Sequence, residues 1–179
     1  MLQATPGISS SIAEARSLPA GTAVELRGQL RSIAPVVGPF SRERLVGYRV
    51  ALSLRGRGFA SRRDLMAWRD AVLSDGTGVI RVLLGSGPVR APVLAGAELH
   101  DEEARHALDR LEVEKREGEG TVETLEFLER AVLDGARVSV FGTLRVAAAE
   151  GSAFRSSAAP EVRLVATDAR PIVLLPRGA

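Results

Sequence analysis

The stretch VELRGQL (residues 24–30) alternates apolar with polar side chains, and this alternation decides the class of fold. Val24, Leu26 and Leu30 would share one face of a strand, while the charged and amide side chains between them would share the other. Gly28 takes the remaining position on the apolar face, where a glycine lets a strand coil or bulge. The stretch therefore predicts a half-buried, bent β-strand.

Alternating apolar residues recur further along the chain. The runs that we interpret as strands cover residues 46–54, 65–73, 80–84, 138–146, 162–166 and 172–175. LSDGTG (residues 73–78) carries the Asp-Gly turn that is typical of a hairpin. GARVSVFGTL (residues 135–144) has one glycine before a strand and another inside it, as strands that turn barrel corners require.

The period of the apolar residues lengthens between the third and fourth strands of the predicted barrel. Residues 98–116 form a charged segment with a thin apolar stripe, which EGEG (residues 117–120) ends. Thr121 is a candidate cap for a second helix. The apolar face of that helix would contain Val122, Leu125, Leu128 and Val132. These features predict a helical segment over residues 98–133.

The order of strand, strand, strand, helical segment, strand, strand matches a five-stranded OB-type barrel. We therefore predict a mainly β fold with a helical insertion, an OB-like Greek-key β-barrel of the α+β kind. Residues 12–176 would form one domain, and residues 1–11 a flexible tail. Residues 147–160 are a low-complexity stretch, which we interpret as a hairpin loop.

Composition excludes several kinds of chemistry. The 179 residues suffice for one buried core, but only 4% are aromatic, so Val, Leu, Ile and Ala must fill it. The absence of Cys excludes disulfides, thiolate zinc sites and Cys nucleophiles. With only two His and dispersed carboxylates, we expect no metal and no cofactor. We also expect no enzyme activity, because the sequence contains neither a nucleophile elbow nor a phosphate-binding glycine loop.

Glu103 and His106 have the Glu-x-x-His spacing that places both side chains on one helix face. Di-iron bundles use two such motifs and further carboxylates. Because the sequence has only one, we interpret this helix face as solvated.

Two features of the sequence bear on the location of the protein. No apolar run approaches the roughly 20 residues that span a bilayer. MLQATPGISSS (residues 1–11) does not have the pattern of a signal peptide. We expect a protein of the cytoplasm, or one that is associated with a membrane from its cytoplasmic side.

Charge is distributed unevenly along the chain. Residues 1–95 contain 13 Arg against 6 acidic residues, whereas residues 96–179 contain 11 basic residues against 16 acidic ones. This distribution permits an electropositive surface on the first half.

The basic candidate site lies within RGRGFASRRD (residues 55–64), which we interpret as a loop. Its members are Arg55, Arg57, Phe59, Arg62 and Arg63. Guanidinium groups pair with phosphate and an aromatic ring stacks on bases, so the loop is either a polyanion site or an ordinary solvated loop. Tyr48 and Trp68 are further binding candidates, and the alternative for both is a place in the barrel core.

Several stretches resemble, in order, the GIDE or "beside a membrane" (BAM) domain of mitochondrial membrane ubiquitin ligases and bacterial membrane proteins. They are SLPAGTAVELRGQL (residues 17–30), LVGYRVAL (45–52), Trp68, LSDGTG (73–78) and ERAVLDGARVSVFGTL (129–144). The resemblance covers most of residues 13–175 and implies a sensing or protein-interaction module. Ligase activity does not carry over, because the RING finger of those ligases needs Cys.

These observations lead to two functional hypotheses. The first is a non-catalytic interaction module that binds a protein partner near a membrane. The alternative is an OB-fold nucleic-acid-binding protein that uses an Arg-rich face. Binding of nucleic acid or anionic lipid by the basic loop alone would be weak and nonspecific. The sequence leaves the oligomeric state open.

Overall fold

A computed structural model describes residues 8–114, 116–147 and 161–176. In chain order the elements are β1 (Ile8–Ser10), α1 (Ile12–Ala15), β2 (Ala23–Ser32), β3 (Val36–Val37), β4 (Arg44–Gly56), β5 (Phe59–Trp68), β6 (Ala71–Ser74), β7 (Val79–Leu83), β8 (Val89–Arg90), β9 (Val93–His100), α2 (Asp101–Arg110), β10 (Thr124–Leu133), β11 (Arg137–Ala147), β12 (Glu161–Val165) and β13 (Ile172–Pro176). The fold is therefore mainly β, as the alternating runs predict.

Five of the strands form a closed barrel. β2 pairs with β6, β6 with β7, β7 with β12 and β12 with β11, and β11 pairs with β2 to close the ring. Only the β7–β12 pairing in this ring is parallel. Counted along the chain, the barrel strands are ordered 1-2-3-5-4 around the ring. The predicted OB-like Greek key is confirmed.

The interior of the barrel is filled by the apolar residues that alternation predicts. Val24, Leu26 and Leu30 of β2 are buried together with Val138 and Val140 of β11. Gly28 faces the hairpin turn, and a Cβ built there would lie 2.3 Å from the carbonyl oxygen of Ser74. The glycine therefore permits a close approach between β2 and the end of β6.

The helical turn α1 also belongs to the barrel core, since Ile12 and Ala15 are completely buried there. Asp75 holds it in place, because its carboxylate accepts hydrogen bonds from the backbone amide of Ile12 and from Thr77 in the adjacent turn. Ser11 caps the turn and exchanges hydrogen bonds with Glu14.

Two insertions into the ring supply a second sheet. Residues 33–70 follow β2 and contain β4 and β5, while residues 84–136 follow β7 and contain β9 and β10. β4 pairs with β10 and β5, and β10 pairs with β9, all antiparallel. The strand order is therefore β9-β10-β4-β5, and the short β3 pairs with the base of β4. The second sheet exists only because the two insertions pair with each other.

One face of the second sheet carries its own core. Ala104, Ala107 and Leu108 of α2 are buried in a cluster with residues of β4 and β10. The strand residues in this cluster are Val50, Leu52, Leu54, Leu125 and Phe127. α2 therefore covers one side of the sheet, which we call the inner face.

A β-bulge marks the point at which the side chains of β4 and β10 change from the core of the second sheet to the core of the barrel. The pairing of β4 with β10 shifts by one residue at Val46, which lies between the paired residues Leu45 and Gly47. Val46 and Val132 are buried with the barrel residues rather than with α2. The bulge lets the base of both strands turn their side chains into the barrel.

The predicted helical segment over residues 98–133 is wrong for most of its length. Of the residues described in this range, only Asp101–Arg110 are helical, and residues 124–133 form the central strand β10. Leu125, Phe127 and Ala131 face the interior with period two, but the charged Glu129 occupies the inward position between them. That carboxylate interrupts the alternation of apolar residues along the strand. The apolar residues Val122, Leu125, Leu128 and Val132 then fit the spacing of a helix.

Three further boundaries differ from the predictions. Residues 55–64 are the end of β4, a tight turn at Arg57 and Gly58, and the first part of β5 rather than a loop. The predicted strand over residues 65–73 is divided between β5 and β6. Residues 8–10, placed in the flexible tail, form β1 and pair in parallel with β2. Residues 1–7 and 148–160 lie outside the described part.

Candidate functional site

The structure disperses the four arginines of the basic segment instead of presenting them together. The side chains of Arg55, Arg57 and Arg62 are exposed, and that of Arg57 at the hairpin turn is 96% exposed. Arg57 Nε lies 3.4 Å from a carboxylate oxygen of Glu123, and Arg55 Nη2 lies 4.0 Å from one of Glu126. The glutamates offset much of the positive charge of the hairpin.

Arg63 points to the inner face and forms a nearly buried ion pair with Glu119. Both side chains are less than 10% exposed, and Arg63 Nη1 also donates to the Ser61 hydroxyl at 3.1 Å. The Arg116 backbone amide, the Ser61 hydroxyl and the Arg63 guanidinium together lower the pKa of Glu119 to about 2. Arg63 therefore braces β5 against the segment before β10 and is not available to a ligand.

The aromatic candidates pack against the cores. Tyr48 and Phe59 are partly buried against the α2 cluster, and Trp68 is partly buried against the barrel core. A Cβ built at Gly47 would lie 2.5 Å from the Trp68 ring. Trp68 therefore packs against β4 and the barrel core, whereas Tyr48 and Phe59 lie against the core of the second sheet.

Part of the uneven charge of the sequence is offset in space. β4 belongs to the basic half of the chain and β10 to the acidic half, and the two strands pair along ten positions. Arg55 and Glu126 meet across this pairing. The hairpin of β4 and β5 therefore lies in a surface with charges of both signs rather than in an electropositive one.

The side of the second sheet opposite α2, which we call the outer face, is solvent-exposed. Strand register places Gly96 of β9, Leu128 of β10 and Ala51 of β4 in one row across its centre. Met66 of β5 lies one row away, with its side chain 65% exposed, and Leu128 is 36% exposed. A small apolar centre therefore lies open on this face.

Polar and charged side chains lie in pairs around the apolar centre. Arg49 Nε lies 3.1 Å from Asp64 Oδ1 on one side, and His100 Nε2 lies 3.5 Å from Glu98 Oε1 on the other. Arg130 lies across from Arg49 and donates to the Ala91 carbonyl. An apolar centre with a polar rim is the usual anatomy of a protein interface.

The two edges of the second sheet differ in character. Among the described strands, β5 and β9 each pair with a single neighbour. β5 has Arg62, Arg63 and Asp64 in its middle, and such charges protect an edge from pairing. β9 begins with VLAGA (residues 93–97), which carries no charge. β9 is therefore the less protected edge.

The barrel carries further arginines over β2, β11 and β13, where Arg27 is paired with Glu25 and Asp75 also lines the surface. A cavity of about 140 Å³ is lined by Arg90, Arg170 and Phe141, and an open groove of about 910 Å³ on the same strands is lined by Arg27 and Arg137. Within the described residues, Arg90, Arg137 and Arg170 have no acidic partner. Sequence reasoning missed this surface because its arginines are far apart in the chain.

The histidines lie on the surface. His106 Nε2 lies 3.7 Å from Glu102 Oε1 on α2, and both side chains are more than 70% exposed. In the described ranges, no three His, Asp or Glu residues converge as metal ligands. No helix in those ranges is long and apolar enough to cross a membrane. No protein-family model, no curated protein and no solved structure matches this chain.

Proposed function

We propose that this chain is a non-catalytic interaction module that binds a protein partner through the outer face of its second sheet. The observation that carries the proposal is the row Gly96, Leu128 and Ala51, which no described element covers. The opposite face of the same sheet is covered by α2. A sheet that is buried on one side and carries exposed apolar residues on the other is suited to docking.

The chemistry of the outer face supports a protein partner. Met66 and Leu128 provide adaptable apolar contacts, and Arg49 and Arg130 lie beside them. Methionine and arginine are enriched in protein interfaces. The resemblance to the "beside a membrane" domain supports the same role, and a partner at a membrane surface is part of this proposal.

Site-specific crosslinking tests the proposal. A photo-crosslinking residue at Ala51, in the centre of the outer face, should capture a partner protein in the cells that make the chain. The same residue at Asp168, in the turn before β13, is the control. Leu128→Asp should abolish the crosslink at Ala51 because it places a charge in the apolar row. Equal capture at both positions, or capture that survives Leu128→Asp, would contradict the proposal.

A second candidate function is nucleic-acid binding by the barrel. The observation that favours it is that Arg90, Arg137 and Arg170 have no acidic partner among the described residues, and that Arg90 and Arg170 line one cavity with Phe141. Nuclease treatment before crosslinking separates the two functions, because only a nucleic-acid-mediated contact is lost.

A further inference from the structure

We propose that β9 is a docking edge, at which an extended basic segment of the partner protein adds as a further strand of the second sheet. This inference rests on the proposed function and names the partner's chemistry. It concerns the edge rather than the centre of the outer face, so the two can fail separately.

The backbone of β9 supplies the first argument. Residues 95–100 pair regularly with β10, so their outward-facing N–H and C=O groups lie in line for an added strand. No described strand pairs with that side of β9. The opposite edge, β5, carries the Arg62, Arg63 and Asp64 charges that disfavour pairing. The two edges are therefore not equivalent, and β9 is the one open to a further strand.

The side chains of β9 leave room for a partner. Ala95, Gly96 and Ala97 are small, and most of this stretch is exposed. Leu128 of β10 leans over Gly96, since a Cβ built on that glycine would lie 3.1 Å from Leu128 Cδ1. An apolar side chain of the added strand can therefore reach Leu128 across Gly96, which connects the edge to the apolar centre of the outer face.

Charge determines which segment fits. Glu98 of β9 lies directly across from Glu126 of β10, and like charges in such a pair repel. Asp101 and Glu102 begin α2 next to the same end of the strand. Arg55 lies 4.0 Å from Glu126, and the His100 ring lies 3.5 Å from Glu98. A lysine or arginine placed opposite Glu98 by an added strand would relieve the repulsion, so a basic segment is favoured.

Synthetic peptides test this proposal on the intact chain. The probes are an acetylated and amidated Val-Lys octapeptide of four repeats, the matching Val-Glu octapeptide, and a Val-Lys octapeptide with alternate backbone amides N-methylated. Titrations followed by amide NMR should show that only the first peptide binds, with shifts concentrated in β9. N-methylation should abolish binding because it removes the hydrogen bonds that strand addition needs.

A charge reversal provides the specificity control. Glu98→Lys should weaken Val-Lys binding by about threefold or more and strengthen Val-Glu binding. Asp168→Lys makes the same change of net charge on the barrel and should leave both affinities unchanged. Equal binding of the two peptides, shifts on β5 or the barrel, or no effect of Glu98→Lys would overturn the proposal.

The oligomeric state separates peptide docking from self-pairing. If the chain alone forms dimers in which the β9 amides are protected from exchange, the occupant of the edge is a second copy and the proposal is wrong. If the peptides fail to bind β9 while Ala51 still crosslinks a partner, the edge proposal fails and the outer-face proposal stands.

Discussion

The carboxylate of Glu129 accepts a 2.6 Å hydrogen bond from the Ser41 hydroxyl, although Glu129 has no exposed surface. The backbone amides of Phe40 and Ser41 donate to its other oxygen at 2.9 and 3.1 Å. The Phe40 ring stacks on Phe127 with ring centroids 3.7 Å apart. Glu129 therefore fastens the loop before β4 to β10, that is, one insertion to the other.

Replacing Glu129 should destabilise the whole fold. Glu129→Leu keeps a side chain of similar size but removes the acceptor of three partly buried donors, which are the Ser41 hydroxyl and the backbone amides of Phe40 and Ser41. Buried donors without an acceptor cost about 1–3 kcal/mol each. Urea unfolding should show a loss of free energy of unfolding of at least about 1–3 kcal/mol.

Glu126→Leu is the matched control, because Glu126 lies on the same strand with its side chain 57% exposed. We expect a change within about 0.5 kcal/mol for such a surface substitution. Equal losses for the two variants would show that the Glu129 hydrogen bonds do not stabilise the fold.

Glu119 should make stability depend on pH. Its pKa falls from an ordinary 4.5 to about 2 in the folded chain, so the folded state favours the charged carboxylate. The resulting stabilisation is complete above pH 4.5 and is lost as the pH falls towards 2. In Glu119→Gln, the free energy of unfolding should therefore fall less steeply over this interval than in the unmodified chain.

Glu14, Asp75 and Glu161 also have lowered pKa values and contribute equally to both proteins, so the comparison isolates Glu119. Thermal unfolding at several pH values measures the difference. The exposed Glu117→Gln is the control and should follow the unmodified chain. Parallel curves for Glu119→Gln and the unmodified chain would refute the assignment.

Gly28 should not tolerate a side chain. Its Cβ would lie 2.3 Å from the Ser74 carbonyl oxygen, so β2 and β6 would have to separate. Overpacking of this kind costs about 1–3 kcal/mol. At Gly85 the nearest atom would lie 3.8 Å away, and Gly85→Ala should be neutral or slightly stabilising. Chemical denaturation of the two variants measures the contrast, and a stable Gly28→Ala protein would show that the strands can adjust.

The arginines of the barrel, rather than those of the hairpin, should dominate any binding to DNA. Arg55 and Arg57 face glutamates, whereas Arg90, Arg137 and Arg170 have no acidic partner in the described residues. On duplex DNA, each neutralised phosphate contributes about 0.9 to the slope of log affinity against log salt.

Changing the three barrel arginines to Ser should therefore lower this slope by up to about 2.7. Changing Arg55, Arg57 and Arg62 to Ser makes the same change of charge and should affect the slope less. Fluorescence anisotropy at several salt concentrations gives both slopes. A larger decrease in slope for the hairpin variant than for the barrel variant would assign the polyanion site to the hairpin of β4 and β5.

The barrel was predictable because its strands follow local rules. In β2 and β11, the inward positions are apolar or Gly, and the turn at Asp75 and Gly76 has the sequence of a hairpin. A reader of the sequence can apply the period-two rule to such strands directly.

β10 was not predictable, because its inward Glu129 depends on donors from Phe40 and Ser41, almost 90 residues away. A buried charge is unfavourable by itself. When the groups that stabilise it lie far away in the sequence, the residues next to it do not indicate that it is buried. The same holds for Arg62 and Asp64 in β5, whose charges suggest a loop although the edge position accommodates them. The outer face was missed for this reason, since it exists only once β10 is recognised as a strand.

The pairing of β4 with β10 also has a consequence for the growing polypeptide. Arg49 pairs with Arg130, so 81 residues must be added to the nascent chain between the synthesis of the two partners. At ribosomal rates this takes about 4–16 s, during which Val50, Leu52 and Leu54 lack the cover that they have in the finished protein. If β4 or β10 were shortened alone, the corresponding part of the other strand would lose its pairing partner. Their lengths are therefore expected to change together over evolutionary time.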